Sequence, residues 1–456
     1  MTLKNRRSII FALLVAAAVA LSAVPAGAHP PTQHDAQLMP ASALDTFGLA
    51  QAKSTLSADC ENGMAGPYPC ENVDLESFVP LTMLGGATGN DIWGWTDPQT
   101  GREYAIMGTS NSTGFVDVTD AENPVLVGIL PTRGVPDYVL WRDIKVHGDH
   151  AFIVSEVTGS GLQVFDLTRL RGVTTPQVFT DDASHDGFSY AHNISINNES
   201  GTAYVVGSDE CGNGEENGGL YMLDISRPKA PRFVGCAVVQ DAGDGDGAQS
   251  NNYVHDVECV NYDGPDADYA GREICFGSNE NVVTIYDVTD KSAPRVISTT
   301  GYPTASYTHQ GALTADRKFF LFGDELDEQQ KGLNTTTYIL DVKDLDAPPT
   351  PVGHTHATKS VDHNMYVHGN RVYQSNYTAG LRIMEFDRKS LRDGRLDEVG
   401  FFDVVPGVDV AEFAGTWSNY RFPGSGTVVV SAIENEASGL FVLRPQLAES
   451  RGSGEG

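Results

Sequence analysis

Gly161-Leu-Gln-Val-Phe-Asp-Leu-Thr168 is one of seven copies of a short pattern that recurs along the 456-residue chain. Each copy is a run of β-branched and aromatic residues, mostly opened by Gly or Thr and closed by Asp. Such a run is typical of a buried strand whose Asp and a following hydroxyl residue cap the next turn. The other copies are Gly219-Leu-Tyr-Met-Leu-Asp-Ile-Ser226, Val282-Val-Thr-Ile-Tyr-Asp-Val-Thr289 and Thr336-Thr-Tyr-Ile-Leu-Asp-Val-Lys343, with weaker versions at Thr113–Thr119, Gly380–Asp387 and Gly439–Leu443.

Each copy belongs to a longer unit of four strands. A strand such as Ala151-Phe-Ile-Val-Ser155 comes before the copy, and a further strand such as Asn193-Ile-Ser-Ile196 comes before that one. After most copies an outer strand starts at proline, as in Pro124-Val-Leu-Val-Gly128, where a missing backbone donor costs least. Seven four-stranded units at a period of ~50 residues, with hardly any helical periodicity, predict an all-β, seven-bladed β-propeller.

The ends of the chain suggest how the ring closes. The last unit has only three strands, between Trp417 and Leu443. The stretch Val73-Asp-Leu-Glu-Ser-Phe-Val-Pro-Leu81 resembles the outer strands of the other units, and pairing it with the last unit removes two exposed edges. We therefore expect a propeller over 73–444 closed by an N-terminal outer strand, an irregular lead over 29–72 and a disordered tail over 445–456.

Residues 1–28 have the order of a secretory signal peptide. A basic start is followed by an apolar stretch over Ile9–Val24 and by the small-residue cleavage site Ala26-Gly-Ala28. We expect an exported protein without a membrane anchor, either extracellular or, in a cell with an outer membrane, periplasmic.

Six cysteines follow the signal peptide. An even number of cysteines in an exported chain indicates disulfides, although the sequence alone does not select their pairing. Their clustering along the chain favours three local pairs, which are Cys60–Cys70, Cys211–Cys236 and Cys259–Cys275.

The repeated strands resemble LVIVD repeats, and several other segments resemble the choice-of-anchor B family. Those segments include Tyr190-Ala-His-Asn-Ile-Ser-Ile-Asn197, Arg272-Glu-Ile-Cys-Phe-Gly-Ser-Asn-Glu280 and Tyr307-Thr-His-Gln310. The resemblance covers about Val73 to Leu443 and implies a surface or secreted propeller. It implies no particular reaction, and we expect this chain to differ from the family by lacking a C-terminal anchor segment.

Aligning the repeats predicts two rings of side chains around one mouth of the central channel, where the first strands begin. The inner ring is Asn90-Asp91, Arg142-Asp143, His192-Asn193, His255-Asp256, His309-Gln310, His363-Asn364 and Trp417-Ser418. The outer ring is Asn111, Glu156, Asp209-Glu210, Asn279-Glu280, Asp324-Glu325, Asn376 and Glu434. From these rings we expect ligand contacts by Arg142, Asp143, Asn193, Gln310, Asn364, Trp417, Glu156, Asp324, Glu325 and Glu434.

Four histidines occupy one register of four consecutive repeats, namely His192, His255, His309 and His363. Neutral imidazoles are good ligands for zinc, iron or manganese, and Asp256 offers a nearby carboxylate. The same imidazoles suit general acid–base catalysis, because histidine titrates near neutral pH. A third interpretation is that each histidine only hydrogen-bonds the backbone of the next blade. The sequence leaves all three open.

Asp263, Asp266 and Asp268 alternate in a turn that contains Gly and Pro. Closely spaced carboxylates of this kind suit calcium, which takes six to eight oxygen ligands. The spacing differs from that of an EF-hand, and Asp-rich turns are common without a metal. The turn is therefore a candidate calcium loop.

These features favour a secreted binding or scaffold protein that presents the channel mouth to a small-molecule or protein ligand, with or without a divalent metal. The alternatives are a metal-dependent extracellular hydrolase or lyase that uses the same ring, and a purely structural protein. The net charge of −30 disfavours nucleic acid as a partner, and we expect a monomer. Fold alone does not select among these functions.

Overall fold

The repeats form seven sheets, each containing four antiparallel strands, in the residues that the computed structural model describes. Those residues are 57–134, 140–214, 217–239, 252–433 and 438–447. The innermost strands of neighbouring sheets contact each other in sequence, and that of the last sheet contacts that of the first. The chain is therefore a seven-bladed β-propeller, as the sequence predicts.

The first half of the described chain contains blades 1 to 3 and the segment before them. That segment holds β1 (Met64–Ala65), β2 (Tyr68–Glu71), β3 (Val73–Pro80) and α1 (Leu81–Leu84). Blade 1 holds β4 (Gly89–Thr96), β5 (Glu103–Thr109), β6 (Ser112–Asp117) and β7 (Val125–Pro131). Blade 2 and its connections hold β8 (Arg142–His147), β9 (His150–Ser155), β10 (Leu162–Asp166), a 3-10 helix (Leu167–Leu170), β11 (Gln177–Val178) and β12 (Ala183–His185). Blade 3 holds β13 (Asn193–Asn197), β14 (Thr202–Val206), β15 (Leu220–Asp224) and β16 (Arg232–Ala237).

The second half contains blades 4 to 7. Blade 4 holds β17 (Asp256–Asn261), a 3-10 helix (Ala267–Tyr269), β18 (Glu273–Asn279), β19 (Val282–Asp287) and β20 (Arg295–Gly301). Blade 5 holds β21 (Thr308–Leu313), β22 (Phe319–Asp324), α2 (Asp327–Lys331), β23 (Thr336–Asp341) and β24 (Val352–Thr355). Blade 6 holds β25 (Met365–His368), β26 (Arg371–Asn376), β27 (Gly380–Glu385), α3 (Arg388–Arg392) and β28 (Asp397–Phe402), and blade 7 holds β29 (Gly415–Arg421), β30 (Val428–Ile433) and β31 (Gly439–Pro445).

In most copies of the repeated pattern, the Asp at its end caps the turn after the third strand. Asp166 accepts hydrogen bonds from both the backbone N–H and the hydroxyl of Thr168, at 3.1 and 2.6 Å. Asp287 accepts the backbone N–H of Thr289 at 3.1 Å in the same way. Because the side chain satisfies a donor that the turn leaves without a strand partner, the pattern ends each third strand at a defined residue.

The apolar core lies between neighbouring blades. In one example, Phe152 and Val154 of β9 pack with Ala203 and Val205 of β14, and all four are fully buried. Side chains of one blade therefore fill the space against the next, and the stability of each blade depends on its neighbours.

The N-terminal strand closes the ring as predicted. β3 pairs antiparallel with β31, from Val73 opposite Pro445 to Pro80 opposite Gly439. It thereby becomes the fourth strand of blade 7, whose order is β29-β30-β31-β3. This pairing joins the two ends of the propeller and covers the edge of β31.

The expected irregular lead is partly a hairpin instead. β1 and β2 pair with each other, and β2 continues onto β28 with Cys70 opposite Phe402, so the hairpin extends the sheet of blade 6. Strands of two and four residues are too short to show a period of two, which explains why the sequence did not reveal them. The predicted signal peptide lies outside the described residues, as does the tail after residue 447.

Three disulfides link the cysteine pairs favoured by the sequence: Cys60–Cys70, Cys211–Cys236 and Cys259–Cys275. The last joins directly opposed residues of β17 and β18. Disulfides of this number indicate an oxidising compartment. Within the described ranges, no helix is long and apolar enough to cross a membrane.

The closing strand can be tested at one position that faces the core. Leu75 of β3 is 1% exposed and belongs to an apolar cluster shared by blades 6 and 7. We expect Leu75→Ala to lower the free energy of unfolding by about 2–5 kcal/mol, because it leaves a cavity at the closure. Denaturant titration measures this loss.

The neighbouring Glu76 provides the control, since its carboxylate lies on the outer side and pairs with Arg444 at 3.0 Å. Glu76→Gln should change the free energy of unfolding by no more than about 1 kcal/mol. Equal effects of the Leu75 and Glu76 substitutions would contradict a stabilising role for the closure.

Candidate metal centre in the histidine ring

The four histidines of the repeat register form a continuous arc at the end of the channel where the first strands begin. The ring centroids of His192 and His255 lie 4.3 Å apart, and those of His255 and His309 lie 4.2 Å apart. His309 and His363 also lie 4.2 Å apart, and all four residues are at most 4% exposed. Because the four histidines occupy equivalent positions in consecutive blades, their side chains meet each other. They are not distributed among separate interfaces between blades.

Hydrogen bonds at Nδ1 orient three of the four rings. His255 Nδ1 lies 2.8 Å from the carbonyl oxygen of His309, and His363 Nδ1 contacts the carbonyl oxygen of Trp417. His192 Nδ1 lies 2.6 Å from a carboxylate oxygen of Glu156. Because a carbonyl only accepts, Nδ1 of His255 and His363 carries the proton, and Nε2 of each neutral ring keeps its lone pair.

Glu325 faces the middle of this arc. Its two carboxylate oxygens lie 3.7 Å from His309 Nε2 and 3.6 Å from His363 Nε2. The hydroxyl of Tyr377 donates to Glu325 Oε1 at 2.7 Å and fixes the carboxylate. Donor atoms of His255, His309 and Glu325 all lie within 4.8 Å of one another. The group is thus close enough to share one metal ion.

Burial shifts the pKa values of Glu325 and His363 towards their neutral forms. It raises the pKa of Glu325 to about 8, an effect that Asp324 adds to and that the Tyr377 hydrogen bond opposes. Burial also lowers the pKa of His363 to about 3. Both shifts disfavour charge in the absence of a cation, and a neutral imidazole is the form that binds metal.

Several residues predicted for the two rings do lie at this site. Glu325, His255 and His309 form its centre, His192 and His363 flank them, and Glu156 orients His192. The Trp417 ring contacts the His363 ring at a tilt of 58°, with 4.7 Å between ring centroids. Glu434 lies outside the described residues.

Other predicted ligand contacts hold neighbouring blades together instead. Asp143 accepts the backbone N–H of Ile194 at 2.7 Å, and Gln310 exchanges two hydrogen bonds with the backbone of Met365. Asn193 donates to the carbonyl of His255, and Asn364 donates to the hydroxyl of Ser418. These residues directly follow the ring register, so their side chains turn into the channel and bond the next innermost strand.

Arg142 and Asp324 also have structural contacts rather than a place in the histidine ring. Arg142 Nε donates to the carbonyl of Thr109 at 3.2 Å, and the residue is 2% exposed. Asp324 accepts the backbone N–H groups of Ser306 and Tyr307 at 2.7 and 2.8 Å. A fully bonded carboxylate of this kind holds a loop and has little capacity left for a ligand.

The candidate calcium loop is not assembled as predicted. Asp263 pairs with Arg317 at 3.5 Å, and the carboxylates that do approach within 4.8 Å of one another are those of Asp266, Asp344 and Asp346. This second group is partly or largely exposed, and its oxygens accept hydrogen bonds from nearby donors such as Leu345 N–H. The partners of Asp266, Asp344 and Asp346, belong to the next blade. The spacing of aspartates within one turn of the sequence therefore could not reveal them.

Asp256, predicted as a metal ligand, lines the channel interior rather than joining His255, His309 and Glu325. It belongs to a cavity of about 260 Å³ whose wall also includes Glu258, Lys145 and Trp93. Lys145 Nζ lies 4.7 Å from the Trp93 ring centroid and pairs with the buried Asp91 and Asp143. The channel therefore has an acidic interior distinct from the histidine arc.

Two residues of interest were missed by the sequence. Tyr377 follows the predicted outer-ring residue Asn376, just as Glu325 follows Asp324, so extending the ring by one register position would have found it. Glu258 lies two residues beyond Asp256 on the same face of β17, a position the period of two would have placed in the channel.

Comparisons with known proteins find similarity to solved structures at low sequence identity. No model of a known family matches the chain, and no curated protein matches it. The β-propeller domain of Cps50 (Swd1) from Myceliophteria thermophila is 10% identical with a TM-score of 0.47, over 78% of this chain and 97% of that one. The computationally designed protein Ika8 is 8% identical with a TM-score of 0.45, over 86% and 96%. A Lactobacillus plantarum protein is 14% identical with a TM-score of 0.46, over 75% and 89%.

The channel carboxylates give the protein a testable pH dependence. Burial raises the pKa of Glu258 to about 7, although the Leu313 N–H bond and Arg317 favour its ionised form. A glutamate in the unfolded chain has a pKa of ~4.3. Between this pH and about 7, the folded protein therefore holds a proton on Glu258 that the unfolded chain releases. The stability that this retained proton contributes is fully present below the pKa of Glu258 in the unfolded chain. It is lost as the pH rises to about 7, the pKa of Glu258 in the folded protein.

Glu258→Gln should therefore reduce the loss of stability between about pH 5 and about pH 8 by an amount on the order of 1–3 kcal/mol. Glutamine can still accept the Leu313 N–H, so the fold is retained. Urea titrations at both pH values measure the difference. An unchanged pH dependence in the variant would show that Glu258 is ionised in the folded protein.

Proposed function

We propose that this protein is an exported propeller that binds a divalent transition metal, with zinc the best match, and presents it to a small-molecule or protein ligand. The observation that carries the proposal is the convergence of His255, His309 and Glu325 within 4.8 Å. Two imidazoles and a carboxylate, with a third imidazole at His363, form the donor set that zinc prefers.

The spacing of the donor atoms supports this assignment. A tetrahedral zinc with ligands at ~2.05 Å places its donor atoms ~3.4 Å apart. The two carboxylate oxygens of Glu325 lie 3.7 Å from His309 Nε2 and 3.6 Å from His363 Nε2, and the donor atoms of His255, His309 and Glu325 lie within 4.8 Å of one another, so the group would contract around a bound zinc.

The surrounding contacts support it as well. The carbonyl partners of His255 and His363 hold each ring with Nε2 directed away from the backbone, and Tyr377 holds Glu325. Such outer contacts fix the tautomer and orientation of metal ligands. A bound cation would also compensate for the charge of a fully buried Glu325.

The proposed setting is outside the cytoplasm. The signal-peptide pattern of residues 1–28 and the three disulfides both support export. The resemblance to LVIVD-repeat and choice-of-anchor B proteins supports the same setting, and membership of that family remains part of the proposal.

Metal content tests the proposed centre. We expect the purified protein, loaded with zinc and dialysed, to retain one zinc per chain by elemental analysis. His309→Ala and Glu325→Gln should each weaken zinc binding by ~10-fold or more, because each removes a ligand. His147, at the other end of β8, is the control, and His147→Ala should leave zinc binding unchanged.

Failure of the zinc-loaded protein to retain the ion would overturn the proposal. So would a His309→Ala variant that keeps full zinc affinity and loses only stability, because that result is the one expected of a histidine that merely joins two blades.

A metal-dependent hydrolase or lyase is the second candidate, and the His192–Glu156 pair favours it. The Nδ1 contact of 2.6 Å orients an imidazole beside His255, as in a general base held by a carboxylate. Three protein ligands would also leave zinc a fourth position for water or substrate.

We expect this candidate, if correct, to show chelator-sensitive hydrolysis of small esters or lactones. His192→Ala should then lower kcat by ~100-fold or more while zinc content stays the same. If the zinc-loaded protein shows no turnover, or turnover that a chelator does not inhibit, the enzymatic candidate is wrong and only the binding function remains.

A further inference from the structure

The cavity of about 260 Å³ in the central channel is surrounded by one layer of equivalent side chains, to which all seven blades contribute. Side chains alternate along a strand, so every second residue of an innermost strand faces the channel. In blade 4, Asp256 and Glu258 are two such residues. The positions equivalent to Glu258, from Trp93 in blade 1 to Tyr420 in blade 7, all line the cavity. The cavity is therefore a feature of the repeat.

Three consecutive blades supply an aromatic wall, which consists of Tyr366 of blade 6, Tyr420 of blade 7 and Trp93 of blade 1. Each of these residues is half-buried and lines the cavity. The ring centroid of Trp93 lies 5.0 Å from that of Tyr420 and 5.5 Å from that of Tyr366, so the three rings form one surface. A Cβ on Gly94 would overlap the Tyr420 ring, so the glycine lets this ring lie against β4. The wall offers fixed apolar ring surface to the cavity.

The opposite side of the cavity has a carboxylate with open space beside it. In a ring of seven blades, blade 4 with Glu258 lies across the channel from blades 7 and 1. The neighbouring blades 3 and 5 contribute only Ser195 and Ala312 to the same layer. The N–H of Leu313 donates to Glu258 Oε2 at 2.6 Å and holds the half-buried carboxylate in place. The cavity is thus polarised, with rings on one side and one oriented acid on the other.

The protein's own cations are paired with other carboxylates. Lys145, the member of this layer from blade 2, directs its Nζ to Asp91 and Asp143. Arg317 favours the ionised form of Glu258 but forms its ion pair with a different, largely exposed aspartate. In the described part of the chain, no lysine or arginine forms an ion pair with Glu258. Its carboxylate is therefore available to a cation from outside the chain.

The cavity reaches the end of the channel opposite the histidine arc. Its wall extends to His368, the last residue of β25, and to Asn198, which follows β13 and is exposed. On the side towards the arc, the wall includes Gln310, whose side chain bonds the backbone of Met365. A ligand would therefore reach the cavity without passing the histidines.

We propose that this cavity binds a small organic ammonium compound, with the ammonium group at Glu258 and the apolar part on the aromatic wall. A mostly apolar pocket with one oriented polar group is typical of small-molecule sites, and a hydrogen bond between an ammonium group and a carboxylate is stronger than a neutral one. The volume sets the size of the ligand. A cavity of ~150 Å³ holds benzene, so about 260 Å³ accommodates one ring with a short aminoalkyl chain.

A panel of primary amines of this size tests the proposal, each compared with the alcohol that carries a hydroxyl in place of the ammonium group. Phenethylamine and phenethyl alcohol are the first pair. At about pH 8, Glu258, with a pKa of about 7, is mostly ionised, and an alkylammonium with a pKa of ~10.4 keeps its proton. We expect isothermal titration calorimetry to detect amine binding with a Kd of ~1 mM or tighter, and the matched alcohol to bind ~10-fold more weakly or less.

Two variants assign the binding to this cavity. Glu258→Gln should weaken amine binding by ~10-fold or more and leave alcohol binding unchanged, because it removes the charge and keeps the shape. Ser195→Leu should abolish the binding of both compounds, since it fills the space beside the carboxylate. Glu398→Gln, which changes an exposed carboxylate paired with Arg382 on the outer strand β28, is the matched control and should change neither.

Chelator-treated and zinc-loaded protein should bind the amine equally, which separates this site from the proposed zinc centre. Three results would each overturn the proposal. They are the failure of every amine in the panel to bind, alcohols that bind as tightly as their amines, and full amine affinity in Glu258→Gln. The second result would show that the cavity takes neutral ligands, and the third that the ammonium group binds elsewhere.

Discussion

The pairing of β3 with β31 is the constraint on which the rest of the structure depends. A propeller blade cannot bury both faces by itself, so each blade relies on its neighbours, and the last must meet the first. The strand that completes blade 7 comes from the start of the described chain. Once the ring is closed, equivalent positions in successive blades lie at equal distances from the channel.

The histidine arc follows directly from that symmetry. His255 and His363 each place Nδ1 against a carbonyl of the next blade, and this contact both joins the blades and fixes the tautomer. A structural role and a ligand role are therefore compatible in the same side chain, because the two nitrogens of one imidazole serve different partners. Metal binding and hydrogen bonding to the next blade, which the sequence analysis treated as separate interpretations, use the two different nitrogens of the same imidazole.

Neighbouring residues along the chain take different roles in the folded protein. Asp324 and Glu325 are neighbours, as are Asp362 and His363, yet Glu325 and His363 meet at the arc while Asp362 accepts the backbone N–H of Asp324.

The sequence by itself determined the blade count, the closing strand and the register of the four histidines, and it favoured the three local disulfide pairs without selecting them. These features are local or periodic, and strand period, turn chemistry and cysteine spacing record them directly. Only the tertiary structure decided which ring residues meet. Asp143, Gln310 and Asn364 turned out to bond neighbouring strands, and Asp266 found its partners Asp344 and Asp346 in another blade. Such contacts depend on which way each side chain points after the ring closes and on how deeply it is buried, and neither quantity is written in the spacing of residues along one chain.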